Sequence, residues 1–336
     1  MNFIDKINFL LAKKKIRKTI YKTEIDCTDM GIANFLLFKK YAKVYKEDAV
    51  LSMHLSKIHK ALERGASSVL VYREILDKDL LYLIDLGIKK GVDPVEIFRK
   101  YVPFKELGEE TETSLKKKLY VPIIMFLLAV AGIYYTLDNF IVMAESGKIP
   151  FSEKSVFIMN NFLLINSVIG GISIYFFLIK PSVLPGVKGI FNKIRSMMLL
   201  AIIQTMSNMN SGTREILDSI KKQFSTSKTK KQRRRFSDDT QALLYFLKKE
   251  EYLTLLQSGY LEISVERGEF SRGIEHVLME KKQEIADSRG IVDEVISKIS
   301  LFLLLPPLLM VLVIFLDLME ASSIGMTGNM SGNIPR

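Results

Sequence analysis

The stretch Leu119–Leu137, LYVPIIMFLLAVAGIYYTL, runs for 19 residues without a charged side chain. A helix of about 20 residues crosses a hydrocarbon core of roughly 30 Å, so this run is long enough to span a bilayer. Two more runs have the same character: Ser155–Ile179 with 25 residues and Ile299–Leu316 with 18. A single such run fits a buried helix of a soluble protein, but three in one chain of 336 residues predict an integral membrane protein with three transmembrane helices. The spans are placed at 119–139, 158–180 and 298–318. A short loop (140–157), a tail (319–336) and two long polar segments (1–118 and 181–297) make up the rest. No cleavable leader is expected, because the first apolar stretch, INFLLA, is short and is followed by Lys13, Lys14 and Lys15.

Lysine and arginine near the span ends set the expected orientation. Lys116, Lys117 and Lys118 precede the first span; Lys180, Lys188, Lys193 and Arg195 follow the second; Lys298 precedes the third. The loop between the first two spans balances Lys148 and Lys154 against Asp138, Glu145 and Glu153, and after Asp317 no basic residue occurs until Arg336. The N-terminus and both long segments are therefore expected in the cytoplasm, and the loop and C-terminus outside it. The formal charge of +11 then sits almost wholly in segments beside anionic lipid. A nucleic-acid role is not expected, since no recognition helix, stacking motif or Cys/His finger accompanies the charge.

Both long segments read as helical. NFLLFKKYAKVYKE, LSMHLSKIHKALERG and YREILDKDLLYLIDLGIKKG in the first, and TREILDSIKKQF and TQALLYFLKKEEYLTLLQSG in the second, repeat apolar residues at three- and four-residue spacing. Gly65, Gly87, Gly91, Gly212 and Gly259 fall where one pattern gives way to the next, and are expected at helix ends or turns. The fold class is thus all-α, with two antiparallel helical-bundle domains in the cytoplasm.

Two basic stretches are candidate partner-docking surfaces. Near the N-terminus Ile4, Ile7, Leu10 and Leu11 form an apolar stripe beside Lys13, Lys14, Lys15 and Arg17; such a helix can lie on membrane lipid, enter a partner's groove or pack on the first bundle. In STSKTKKQRRRFSDD, the basic residues Lys228, Lys230, Lys231, Arg233, Arg234 and Arg235 form either a solvated connector or a docking surface for an acidic partner or lipid headgroups.

The two halves share a pattern. LIDLGIKKGVDPVEIFRKYV precedes the first span and LEISVERGEFSRGIEHVL the third; setting Gly91 against Gly268 aligns Ile97 with Ile274, and prolines follow in both spans, Pro122 in one and Pro306–Pro307 in the other. Gly268 is expected to turn between helices, with Glu269 at the start of the next helix and Gly273 allowing close packing.

This layout resembles the type II secretion system F-domain family, the inner-membrane platform proteins of type IV pilus and type II secretion assembly. Gly268, Glu269, Ser271, Gly273 and Ile274 resemble that family's Gly-Glu-x-Ser-Gly-x-Leu signature, with Arg272 inserted, and MLLAIIQTMSNMNSGTREILDSI resembles its domain-opening helix, turning at Ser211 and Gly212. The first half departs, since Val92 stands where the signature has glutamate. The resemblance implies a non-enzymatic scaffold in the bacterial inner membrane. It would be a homo-oligomer that couples a separate cytoplasmic assembly ATPase to pilin or pseudopilin subunits, alongside other inner-membrane assembly proteins. A small membrane transporter or permease subunit is the alternative.

No enzyme chemistry is apparent. The P-loop pattern is absent, His54 and His59 are too far apart in helical register to share a face, and H-E-x-x-H does not occur. The lone Cys27 excludes an intrachain disulfide and a cysteine zinc cage, so no cofactor or metal is expected. The three spans carry no Asp, Glu, Lys or Arg in their apolar cores; Asn160, Asn161 and Asn166 are expected to bond between helices, with Gly170 and Gly171 allowing close contact.

Overall fold

The computed structural model describes residues 3–146, 151–176, 187–224 and 238–330, and these are helical throughout, without a strand. The basic stretch Lys228–Arg235 and residues 177–180 at the end of the expected second span lie outside the described residues, as do the side chains of Ile4, Ile7, Leu10 and Leu11. Three helices are long and apolar enough to cross a membrane. They contain the segments Pro94–Val142, Glu153–Ile174 and Phe270–Glu320.

The chain divides into two compact units. Unit 1 comprises Met1–Glu109 with Ile194–Gln283, and unit 2 comprises Glu110–Lys193 with Glu284–Arg336. The first half of the chain supplies α1 (Phe3–Met30), α2 (Asn34–Val44), α3 (Ala49–Glu63), the single turn α4 (Ser68–Tyr72), α5 (Lys78–Lys89) and α6 (Pro94–Glu145). After α7 (Glu153–Ile174), the second half supplies α8 (Val187–Asn208), α9 (Thr213–Phe224), α10 (Asp239–Lys249), α11 (Leu255–Glu266) and α12 (Phe270–Met330). The edges expected at 118 and 297 fall inside α6 and α12, and the segment expected as a tail from 319 continues α12 as far as Met330.

The helix ends expose the repeat more fully than the sequence does. Six of the described residues have positive φ: Gly31, Gly65 and Gly91 in the first half, and Asn210, Glu251 and Gly268 in the second. Each closes its helix with the same pair of backbone bonds. At Gly91 these are Gly91 N–H to Ile88 O at 3.1 Å and Val92 N–H to Gly87 O at 2.8 Å; at Gly268, Gly268 N–H to Val265 O at 2.9 Å and Glu269 N–H to Ser264 O at 2.8 Å. This is the Schellman arrangement, which satisfies the carbonyls a helix leaves unpaired at its end. The stops follow α1 and α8, then α3 and α10, then α5 and α11, so the halves match helix for helix except for α4. Asp48 caps α3 by accepting from Leu51 N–H, and Asp238 in the matching place accepts from Thr240 N–H at the start of α10.

This register corrects several expectations for individual glycines. Gly87 and Gly259 lie inside α5 and α11, and Gly212 immediately precedes α9, its carbonyl accepting from Ile216 N–H at 3.1 Å. The left-handed position before α9 belongs to Asn210 instead. The structural counterpart of α8 is α1, ending at Gly31.

In unit 1, the middle of α8 is apolar on all sides: Met197 to Ile203 are seven consecutive apolar residues, all buried except the half-buried Met198. A helix with no polar face must be surrounded, and seven consecutive residues are too few to cross a bilayer. Its neighbours come from both halves of the chain. A Cβ on Gly108 of α6 would meet Ile194 Cγ2 at 3.2 Å and Met198 Sδ at 3.4 Å, and one on Gly87 of α5 would meet Met209 Sδ at 3.6 Å. Lys90 pairs with Glu215 at 2.7 Å, and the Tyr82 and Ser219 hydroxyls lie 2.5 Å apart, joining the end of α5 to α9.

Unit 2 carries the spans. Leu119, Ile123, Phe126, Val187 and Leu303 form one core cluster, and Leu137, Met159, Phe162 and Ile314 a second. Leu128, Tyr135, Phe157, Leu164, Leu301, Phe302 and Leu316 point outward and are more than half exposed. So much outward apolar surface on all three helices is what a lipid-facing bundle presents. Gly170 allows Phe126 to approach, since a Cβ there would lie 3.2 Å from Phe126 Cε1; Gly171 has open space and needs no such explanation. Asn161 bonds its own helix at Phe157 O, Asn160 is exposed, and the buried Asn166 donates to Phe162 O at 2.8 Å with Met310 Sδ at 3.6 Å. Of the three asparagines only Asn166 reaches another helix, and then only to sulfur.

The stops give a test with opposite signs. A side chain in left-handed backbone costs about 1–2 kcal/mol. Glu251→Gly is therefore expected to raise stability by about 1 kcal/mol, whereas Gly268→Ala lowers it by a similar amount. Thermal unfolding of the purified protein in detergent reads both shifts.

Candidate functional site

Gly268 to Ile274 form a tight corner between α11 and α12. The capping box at Thr254, whose side chain accepts from Gln257 N–H while Gln257 accepts from the Thr254 N–H, starts α11. Gly268 turns the chain at φ 73°. Glu269 caps α12: its carbonyl accepts from Gly273 N–H at 3.0 Å, and its carboxylate lies 3.9 Å from the Arg272 guanidinium at the positive end of the helix dipole. Ser271 donates to the Asn208 side chain at 3.3 Å and so ties the corner to the end of α8.

The packing inside the corner is closest at Gly273. A Cβ there would lie 2.6 Å from Ser264 Cβ and 2.7 Å from Ser264 Oγ. No side chain fits that space without separating the two helices. The matching corner at Gly91 solves the same problem with the small residue on the other helix: Gly87 accepts Ile97, whose Cδ1 would lie 2.5 Å from a Cβ at Gly87. Ile97 and Ile274, aligned by sequence, are both buried. The two corners flank the α8–α9 turn, one through Met209 and the other through Asn208.

The N-terminal basic residues separate into two groups. Arg17 is not available to a partner: its side chain is 14% exposed and pairs with Asp77 and with Glu109, the latter at 3.1 Å. Lys105, 4% exposed, completes the network by pairing with Asp77 at 2.9 Å and Asp79 at 2.8 Å. Burial pushes the Asp79 carboxyl up, but the Lys105 ammonium and hydrogen bonds from Lys105 and Tyr101 outweigh it and hold the group below the usual carboxylate range. Sequence reasoning missed this network because its members lie 60 and 92 residues apart in the chain. Lys13 and Lys14 are half-buried and Lys15 exposed, and Lys15 pairs with Asp48 at 2.7 Å. With Ile16, Ile20, Tyr21 and Cys27 buried, the described part of α1 is an integral helix of unit 1. The stripe of Ile4, Ile7, Leu10 and Leu11, for which three uses were weighed, lies outside the described side chains.

Other reactive groups are committed to structure. Burial raises the Cys27 thiol to about 12, so it carries almost no thiolate at neutral pH. Burial also raises the Glu24 carboxyl, against the lowering effect of hydrogen bonds from Tyr72 and Asn34. His59 sits 2.9 Å from Phe35 O, and His276 lies against the Tyr260 ring and 3.5 Å from Glu280. Among the described residues no group of His, Cys, Asp and Glu side chains is arranged to hold a metal ion.

Gly273→Ala is expected to destabilise the protein by about 1–3 kcal/mol through overpacking at the corner. Adding Ser264→Gly restores most of the loss, because it moves the vacancy to the opposite helix, as in the first corner. Comparing the two melting temperatures in detergent decides it; no rescue by the second substitution places the strain elsewhere.

Comparison with protein-family models, with curated proteins and with solved structures finds no match to this chain.

Proposed function

We propose that this chain is an inner-membrane platform of a type IV pilus or type II secretion machine, a scaffold that couples a separate assembly ATPase to the handling of pilin-like subunits. One observation carries the reading. A four-helix pattern with three left-handed stops occurs twice, and each copy turns a tight corner into a long helix that is apolar enough to span a bilayer. Gly268, Glu269, Ser271 and Gly273, on which the sequence resemblance rests, lie in the second of these corners.

In this reading residues 1–118 and 181–297 form the cytoplasmic helical bundles, the C-terminus lies in the periplasm, and the protein acts as a homo-oligomer without chemistry of its own. The ATPase would bear on the bundles and the pilin subunits on the spans. Buried polar groups favour a scaffold over a permease subunit. Among the described residues of the spans, Asn166 and Ser173 donate to carbonyls of their own helix, and Ser155 lies against Ser152 at its start. A permease would need such groups to face a shared path.

The test is assembly in the native host. Affinity-tagged protein is expected to copurify, after crosslinking, with a hexameric secretion-type ATPase and a prepilin, and deletion of the gene to abolish the fibre or the secreted product. Reversing the charges of Lys228, Lys230, Lys231, Arg233, Arg234 and Arg235 is expected to abolish assembly with membrane insertion intact. Normal assembly in that variant makes the segment a solvated connector. Absence of both ATPase and pilin from the crosslinked material contradicts the platform reading.

A further inference from the structure

A groove of about 480 Å³ opens between α1 and α2, lined by Lys14, Lys15, Lys18, Thr19, Lys22, Tyr41 and Tyr45. Its volume falls in the range of roughly 300–1,000 Å³ typical of small-ligand sites. Lys14, Lys18 and Lys22 follow at four-residue spacing, so their stems share a helix face and cover about 12 Å of its length. No carboxylate lines the groove. Outside it Lys18 lies 3.8 Å from Glu106, and Lys14 is near enough to Glu109 to favour that carboxyl's charged form.

The opposite wall is aromatic and held in place. Tyr41 donates its hydroxyl to Asp26 at 3.0 Å, and its ring centroid lies 6.3 Å from that of Tyr45. The Lys15 ammonium sits 5.6 Å above the Tyr45 ring and is anchored by Asp48 at 2.7 Å. The groove thus offers a row of ammonium groups facing a pair of fixed π surfaces. The first suits a chain of phosphates and the second a planar heterocycle. A phospholipid would also need an aliphatic seat for its chains, and none of the lining residues is aliphatic.

We propose that this groove is a binding site for a nucleoside polyphosphate, held through its phosphates by Lys14, Lys18 and Lys22 and through its base by Tyr45 and Tyr41. The site binds without hydrolysis, since it has no carboxylate to orient water or hold a metal. The proposal does not depend on the platform reading.

Full-length protein in phosphatidylcholine nanodiscs, titrated calorimetrically with ATP, adenosine and inorganic tripolyphosphate, tests it. ATP is expected to bind saturably at one site and more weakly as salt is added. Tripolyphosphate should bind less tightly, and adenosine not measurably. Lys14→Ala with Lys22→Ala is expected to weaken ATP binding by about tenfold or more, a loss of about 1.4 kcal/mol. Lys39→Ala with Lys40→Ala, the same charge change at exposed positions of α2, leaves the affinity unchanged. Tyr45→Leu reduces ATP to the affinity of tripolyphosphate. Circular dichroism confirms that each variant is folded. Lack of saturable ATP binding overturns the proposal, as does an equal loss in the Lys39/Lys40 control or binding of adenosine as tight as ATP. Capture of polyglutamate or anionic vesicles in place of ATP also overturns it, and assigns the groove to a protein or lipid partner.

Discussion

The arrangement of unit 1 depends on burying α8. Met197 to Ile203 leave no polar face to turn toward water, and burying each large apolar side chain is worth about 1.5–3 kcal/mol. Its contacts come from both ends of the chain, Gly108 of α6 on one side and Ser271 of α12 on the other, with Gly87 of α5 beside the Met209 that follows it. That sharing constrains topology. Met1–Glu109 and Ile194–Gln283 belong to one compact unit, so the chain between them starts and ends in that unit.

Small residues set the spacing inside that arrangement. Gly87 admits Ile97, Gly273 admits Ser264, and Gly108 admits Ile194 and Met198; each is a place where two helices come closer than a Cβ permits. The two corners are variants of one device, with the vacancy on the first helix in one and on the second in the other. Such an exchange keeps the angle of the corner while the residues around it diverge. It also explains why the first half departs from the glycine and glutamate pattern of the second: Val92 stands where Glu269 does, yet both donate their N–H to close the preceding helix.

What was legible in the sequence was what is encoded locally. The spans showed in uncharged runs, the helices in their periodicity, and the corner at Gly268 in two glycines that a straight helix has no use for. The structure corrected readings that depended on distant neighbours. Asn210 and Glu251 adopt left-handed backbone; asparagine is a type that tolerates it, whereas nothing in a glutamate announces it. Gly87 looked like a terminator and is a packing glycine; Gly212 looked like the turn and only follows it. Arg17 read as exposed because its neighbours in sequence are lysines, but its partners Asp77 and Glu109 arrive on α5 and α6. The groove beside α1 was not legible in the sequence, since its tyrosines come from α2 and the residue that ends it.

The proposed platform requires both halves of the chain to lie on one side of the membrane, with the loop before α7 on the other. Cysteine labelling tests it directly, because Cys27 is the only cysteine and is buried. In a Cys27→Ala background, single cysteines replace Lys89, Glu153 or Glu266 in intact cells exposed to a membrane-impermeant maleimide. The account predicts that the cysteine at position 153 is labelled in intact cells and those at 89 and 266 only after permeabilisation. Labelling of positions 89 and 266 from opposite sides would contradict it.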